Sequence, residues 1–336
     1  MPNARVREVW VDDAKLVACV LVVLGHLFQG LVKAHILVGG PLYGWFEMTI
    51  YTFHVPLFFV CSGYLYQRYS KVEAIGDWWR SVLKKALTLG VPYIAFTCVT
   101  LAMKTLARDA INTQETSLLR TLRLQPTAPY WYLYTLFFIF VVTPTASSLS
   151  QMLILLAISM SAKVANLSAD GLQSMPYAIV SVTRYWCWFV SGMCLSALSW
   201  KDGLTRSMGL ACLCFLPLSI VAFAQGASDA VHLLVGVFAC VCILSLCCST
   251  DPSRRAPMLD ACEEYTMPIY LLHTIFSAGI RVVLLRFGIA SAFTHMSVGI
   301  VAGLIGPVVA MLVMERLAPL DFFVYPTRYV RIGAQR

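Results

Sequence analysis

Three histidines, His26, His54 and His273, lie well inside apolar runs of this 336-residue chain, away from the run ends, and imidazole is the side chain best suited to take up a proton near neutral pH. The first, His26, follows Gly25 in a run that opens with Asp12, Asp13 and Lys15. Lys15 and His26 are eleven residues apart. That spacing is about three helical turns plus 20°, so both fall on one helix face roughly 16 Å apart. Asp12 and Lys15 are one turn apart and can pair. Gly25 leaves room for another helix or a substrate to come close to His26. Ionisable groups within a membrane span are costly and face a bundle interior or a wet cavity. Spacing alone leaves two readings open: an imidazole that bonds a neighbouring helix, or one that does chemistry.

The second run reads Phe53-His54-Val55-Pro56-Leu57-Phe58-Phe59-Val60-Cys61-Ser62-Gly63-Tyr64. Pro56 removes a backbone donor and Gly63 leaves space, a combination expected where irregular backbone lines a cavity. His54 is a second imidazole, and Ser62 is either a hydrogen-bonding group or packing glue. A late run carries Tyr270, His273 and Arg281. Three imidazoles in three runs could converge on a metal such as zinc, but nothing in the spacing fixes that geometry, and no metal is expected. Eleven of the twelve cysteines fall in or at the ends of apolar runs, where free Cys behaves as a small hydrophobe. There is no Cys-x-x-Cys to support a zinc or redox site.

The elements that must position these groups follow from composition. Apolar residues make up 59% of the chain and charged residues only 12%, with a mean hydropathy of +0.75. Soluble domains carry about 25% charged residues, so lipid is the solvent here. Apolar runs occur at 14–33, 47–66, 84–103, 130–147, 150–165, 177–198, 207–224, 229–248, 267–285 and 294–314. At about 20 residues per crossing they predict roughly ten helices. The fold class expected is an all-α integral membrane protein, a single polytopic domain over 1–336 with no separate soluble domain. The polar connection 104–129, with Lys104, Arg108, Arg120 and Arg123, is a candidate ordered loop or interfacial helix.

The formal charge of +8 is placed at span ends, without the aromatic-interleaved basic surface of a nucleic-acid binder. With the N-terminus inside, inner segments hold about twice as many Lys and Arg as outer ones, so both termini are expected in the cytoplasm. The first run lacks a small-residue cleavage pattern and reads as a retained span, not a leader.

Four blocks resemble the membrane acyltransferase-3 family. Trp10-Val11-Asp12-Asp13-Ala14-Lys15 with Val22-Val23-Leu24-Gly25-His26 is similar to its first span, and the Lys15-to-His26 spacing to its Arg/Lys-x10-His signature. The Phe53–Tyr64 stretch resembles its Phe-Phe-x-x-Ser-Gly motif, Pro129-Tyr130-Trp131-Tyr132-Leu133 its Leu-Trp-Phe-Leu segment, and Ile269-Tyr270-Leu271-Leu272-His273 its late Tyr-Leu-x-His. The first block is closest in wording to the fucose 4-O-acetylase-like branch. One departure is that the family's Arg-x-x-Arg before the third span is replaced by Arg80-Ser81-Val82-Leu83-Lys84-Lys85, which shifts the basic groups.

The resemblance implies a multi-pass enzyme of the plasma membrane, the inner membrane of a bacterium. It implies transfer of an acetyl group from cytoplasmic acetyl-CoA to a hydroxyl of a glycan or lipid-linked sugar. His26 is then the base or acyl carrier, with Asp12 and Lys15 holding geometry and charge near the CoA. His54, Ser62, Tyr64, Trp131 and Tyr132 line the substrate cavity, and His273 is the alternative catalytic imidazole. The rival from another class is a secondary transporter or glycan exporter, which Arg184 and Arg281 in or beside spans would suit. Such transporters show internal hydropathy repeats, and this chain shows none.

Overall fold

The computed structural model describes residues 8–70, 72, 74–106, 118–168, 174–198, 201–249, 262–330 and 332. They form an all-α bundle, with no strand among them. In chain order the helices are α1 (Val9–Lys33), α2 (Pro41–Tyr69), α3 (Ile75–Lys85), α4 (Val91–Leu106), α5 (Leu118–Arg123), α6 (Trp131–Val142) and α7 (Leu149–Ser168). Then come α8 (Tyr177–Ala197), α9 (Lys201–Ala224), α10 (Asp229–Ser249), α11 (Thr266–Arg286) and α12 (Ala292–Arg316). Eight helical stretches are long and apolar enough to cross a membrane, counting Ile75–Thr105 as one, and α6 and Leu210–Ala224 are shorter apolar helices. The chain is a multi-pass membrane protein. Among the described residues, these eight spans and two shorter helices correspond to the ten apolar runs.

Boundaries moved for physical reasons. The run 130–147 is helical only as Trp131–Val142, because Pro144 drives Thr143 to an extended conformation (φ −101°, ψ 112°). The run 150–165 grows to Leu149–Ser168, because the Asn166 amide bonds Val180 O (3.1 Å) and Thr183 Oγ1 (2.9 Å) on α8 and so continues the helix. The third span starts early, at Ile75. Its first turns, α3, bury nothing and carry Arg80, Lys84 and Lys85 opposite the exposed Ile75, Trp79 and Leu83. A π turn at Ala86–Gly90 links α3 to α4. In the 104–129 connection, residues 107–117 lie outside the described residues. The rest contains α5, held to α4 by Tyr93, whose hydroxyl donates to Leu122 O at 3.0 Å.

The backbone of the bundle is the crossing of α2 and α8, its most extensive helix pair. Gly63 lies against the Phe189 carbonyl and Gly192 against the Val60 carbonyl, where an added Cβ would stand 1.8 and 2.0 Å from the oxygens. Only hydrogen fits at either position, so two small residues set how closely the helices pack. α1 packs on α2, α11 and α12, which places the first and late histidine runs side by side.

Candidate active site

α1, α2 and α11 each bring one imidazole to the middle of the bundle. The rings of His26 and His273 have centroids 5.3 Å apart. Tyr51 joins them: its ring lies 4.8 Å from His54 and 6.5 Å from His26. Gly25 makes this possible, since a Cβ there would sit 3.2 Å from the Tyr51 hydroxyl. Three imidazoles that the sequence separates by more than two hundred residues thus share one cluster.

The backbone fixes the tautomers of two of them. His54 Nδ1 lies 2.5 Å from Ile50 O, and His273 Nδ1 lies 3.1 and 2.9 Å from Ile269 O and Tyr270 O. A carbonyl only accepts, so each Nδ1 carries the proton and each Nε2 keeps a free lone pair. The Nε2 of His273 is buried with no protein partner. His26 is the half-buried member of the three. Among the described residues, no three His, Cys, Asp or Glu side chains are placed to hold a metal ion.

Two cavities flank the cluster. The first, about 350 Å³, opens at the end of the bundle where α1 begins and α12 finishes, and Asp12, Lys15, Ser62, Tyr132 and Tyr270 line it, with Glu263 and Glu264 at its edge. Ser62 Oγ and the Tyr132 hydroxyl are 3.2 Å apart across its wall. The ring of Tyr270 is 5.9 Å from Tyr132 and 6.5 Å from His273, so this tyrosine belongs to both cavity and cluster. Its hydroxyl donates to Pro129 O, and that of Tyr130 donates to Leu271 O (3.0 Å), which ties the Pro129–Tyr132 block to α11. Tyr325, from the segment after α12, also lines the cavity and donates to Glu264 O at 2.9 Å.

The second cavity, about 440 Å³, lies toward the other end between α2, α7, α8 and α10. Its lining includes Tyr51, Thr52, Lys163, Arg184, Trp188 and Asp229, and Pro56 and His232 also face it. Tyr51 connects it to the imidazoles as Tyr270 connects the first. Pro56 has no N–H for the Thr52 carbonyl four residues back. That carbonyl faces α10 at Gly236, where a Cβ would come within 2.6 Å of it.

The residues marked from sequence divide three ways. His26, His54 and His273 form the cluster. Asp12, Lys15, Ser62 and Tyr132 line the first cavity. Tyr64 and Trp131 border neither: Tyr64 packs on Trp10 and donates to Glu8 (3.1 Å), and Trp131 lies against Tyr185. Arg281 also stands apart, its guanidinium laid over Gly30. Sequence reasoning missed Tyr51, Lys163, Asp229 and His232. The available signal was i,i+3 spacing, which puts Tyr51 one turn from His54 and Asp229 one turn from His232.

No curated protein and no solved structure matches this chain. A family model does: the acyltransferase domain of the acyltransferase-3 family spans residues 8–313, taking in all three histidine runs. The chain is a membrane acyltransferase and belongs to the acyltransferase-3 family.

Proposed function

We propose that the protein acetylates a hydroxyl of a glycan or lipid-linked sugar, drawing the acetyl group from acetyl-CoA at the cytoplasmic face of a bacterial inner membrane. The observation that carries this reading is the placing of three imidazoles between two cavities, each cavity sharing one tyrosine with them. The first cavity takes the donor. Its apolar and hydroxyl-bearing wall suits the uncharged thioester arm of CoA, and its carboxylates leave the nucleotide phosphates outside, toward the basic face of α3. The positive-inside reading of the sequence puts this end in the cytoplasm.

His26 acts as the base, or carries the acetyl group between donor and acceptor. In the first case its imidazole takes the acceptor hydroxyl proton as the oxygen attacks the thioester carbonyl, and the CoA thiolate leaves and is protonated. In the second, the ring nitrogen displaces CoA, and the acceptor hydroxyl then displaces the imidazole. The fixed tautomer of His273 offers its Nε2 lone pair beside His26, able to relay that proton.

The test is transfer of labelled acetyl from acetyl-CoA in membranes expressing the chain, with His26→Ala beside wild type. General-base loss costs about 10²- to 10⁴-fold. Label reaching a glycan fraction only with His26 intact supports the reading. A folded His26→Ala protein that acetylates at the wild-type rate sinks it.

A further inference from the structure

The second cavity gathers two positive charges and one negative one without a close ion pair. Lys163, Arg184 and Asp229 all line it, and no ion pair joins any two of them. The Lys163 ammonium gives one hydrogen bond, to the carbonyl of Arg184 at 3.1 Å, which leaves two of its protons for other acceptors. Asp229 opens α10, whereas the two cations are set back from their helix ends. Arg184 lies seven residues into α8, about 10 Å along its axis, and Lys163 lies five residues from the end of α7, about 8 Å. The protein gives them few polar partners, the Tyr185 side chain for Arg184 and one carbonyl for Lys163, and Arg184 stays exposed to an incoming group.

The remaining walls are equally specific. Trp188 and Tyr185 form an aromatic side, the Thr52 carbonyl lacks the helical donor that Pro56 cannot give, and Tyr51 leads on to His54 and His26. The Tyr51 hydroxyl is itself buried without a protein partner. Aromatic faces, lone acceptors and a surplus of one positive charge recognise a sugar ring bearing an anion.

We propose that this cavity is the acceptor site and that it selects a saccharide carrying an anionic group, a uronate carboxylate or a phosphate, gripped by Lys163 and Arg184. The inference rests on the acyltransferase reading and narrows its acceptor. Asp229 is the one like charge facing that anion from the lining, and His232 sits one turn from it.

Binding tests it without requiring transfer. The full chain in phosphatidylcholine nanodiscs is titrated with a labelled oligogalacturonate and with the same oligosaccharide fully methyl-esterified. The uronate should bind about tenfold more tightly than the ester. Arg184→Gln and Lys163→Gln should each remove most of that preference, and Asp229→Asn should enlarge it. Retained acetyl-CoA binding reports that each variant is folded. Equal binding of uronate and ester by wild type, or a preference that survives both cation substitutions, overturns the proposal. So does displacement of the uronate when phosphatidylglycerol is added, which would assign the cavity to a lipid headgroup. A chain that prefers the uronate but transfers no acetyl would instead overturn the function and leave this site standing.

Discussion

The two cavities lie along the same helix, α2, yet they are built on opposite principles. The one near the chain termini is closed by hydrogen bonds the protein makes to itself, Ser62 to Tyr132, Tyr325 to Glu264 and Tyr270 to Pro129. The other is bordered by a Tyr51 hydroxyl without a protein partner, a Thr52 carbonyl denied its helical donor by Pro56, and charges that form no close ion pair. A cavity whose hydroxyls are paired within the protein suits an uncharged, flexible guest such as a thioester arm. A cavity that withholds its partners must be completed by its guest, and it discriminates among guests through the cost of leaving polar groups unpaired. The contrast separates holding a common donor from choosing a particular acceptor.

The contrast can be broken most severely at the crossing that frames both cavities. Gly63→Ala drives a methyl to 1.8 Å from the Phe189 carbonyl, so α2 and α8 must separate. The expected cost is about 3 kcal/mol, seen as lost monodisperse protein in detergent. Gly279→Ala, with nothing within 4 Å of the new methyl, should solubilise as wild type does. A Gly63→Ala protein as stable as wild type would show that the helices part without consequence.

Next is Pro56→Ala. It returns to the Thr52 carbonyl the helical N–H that Pro56 lacks, and so competes with a guest for that acceptor. The KM for the acceptor should rise about tenfold, a cost of about 1.4 kcal/mol, while the KM for acetyl-CoA stays put. Movement of both constants together would erase the distinction. Tyr132→Phe makes the opposite cut. It deletes the bond to Ser62, worth about 1 kcal/mol, and should raise the KM for acetyl-CoA about fivefold with the acceptor constant unmoved.

The smallest effect concerns acid. After α12 the chain folds over the first cavity, where Asp321 accepts from the Tyr329 hydroxyl and from Arg328 (3.1 Å) and Arg328 also bonds Glu315 (2.7 Å). The Tyr329 bond holds the Asp321 carboxyl below its ordinary value, with burial opposing and Arg328 assisting. A lowered carboxyl stabilises the folded segment above the unfolded value, about 3.9, and that contribution fades as pH falls through the folded one. The hydrogen-exchange protection factors of residues 320–330, corrected for the intrinsic pH dependence of exchange, should therefore stay flat from neutral pH to about 4.5 and fall only below, and Asp321→Asn should remove the step.

Much of the first cavity was legible in the sequence because its parts are motif-bound. Asp12 and Lys15 announce themselves as charges in an apolar run, Ser62 follows a double Phe, and Tyr132 stands in an aromatic block. The convergence of His26, His54 and His273 was legible as three imidazoles at membrane depth, though spacing within one helix says nothing of which helices meet. The second cavity was not legible. Its lining comes from four helices, and Lys163 and Asp229 look like ordinary span-end charges until α7, α8 and α10 are packed around α2. Tyr64 shows the converse: a motif position whose ring and hydroxyl serve Trp10 and Glu8 at the start of α1.

The series of rings between the cavities has an electrical consequence. If water fills both, the insulating layer shrinks from the full hydrocarbon core, about 30 Å, to the series Tyr270, His273, His26 and Tyr51, whose neighbouring ring centroids are 5.3 to 6.5 Å apart. The membrane voltage then falls across those few side chains, and a charge moved through them works against about 2.3 kcal/mol per 100 mV. Passing a neutral acetyl group costs nothing against that field, but passing its proton does. In sealed vesicles, turnover should depend on voltage to the extent that the acceptor's proton leaves on the side opposite to the one from which the acceptor came.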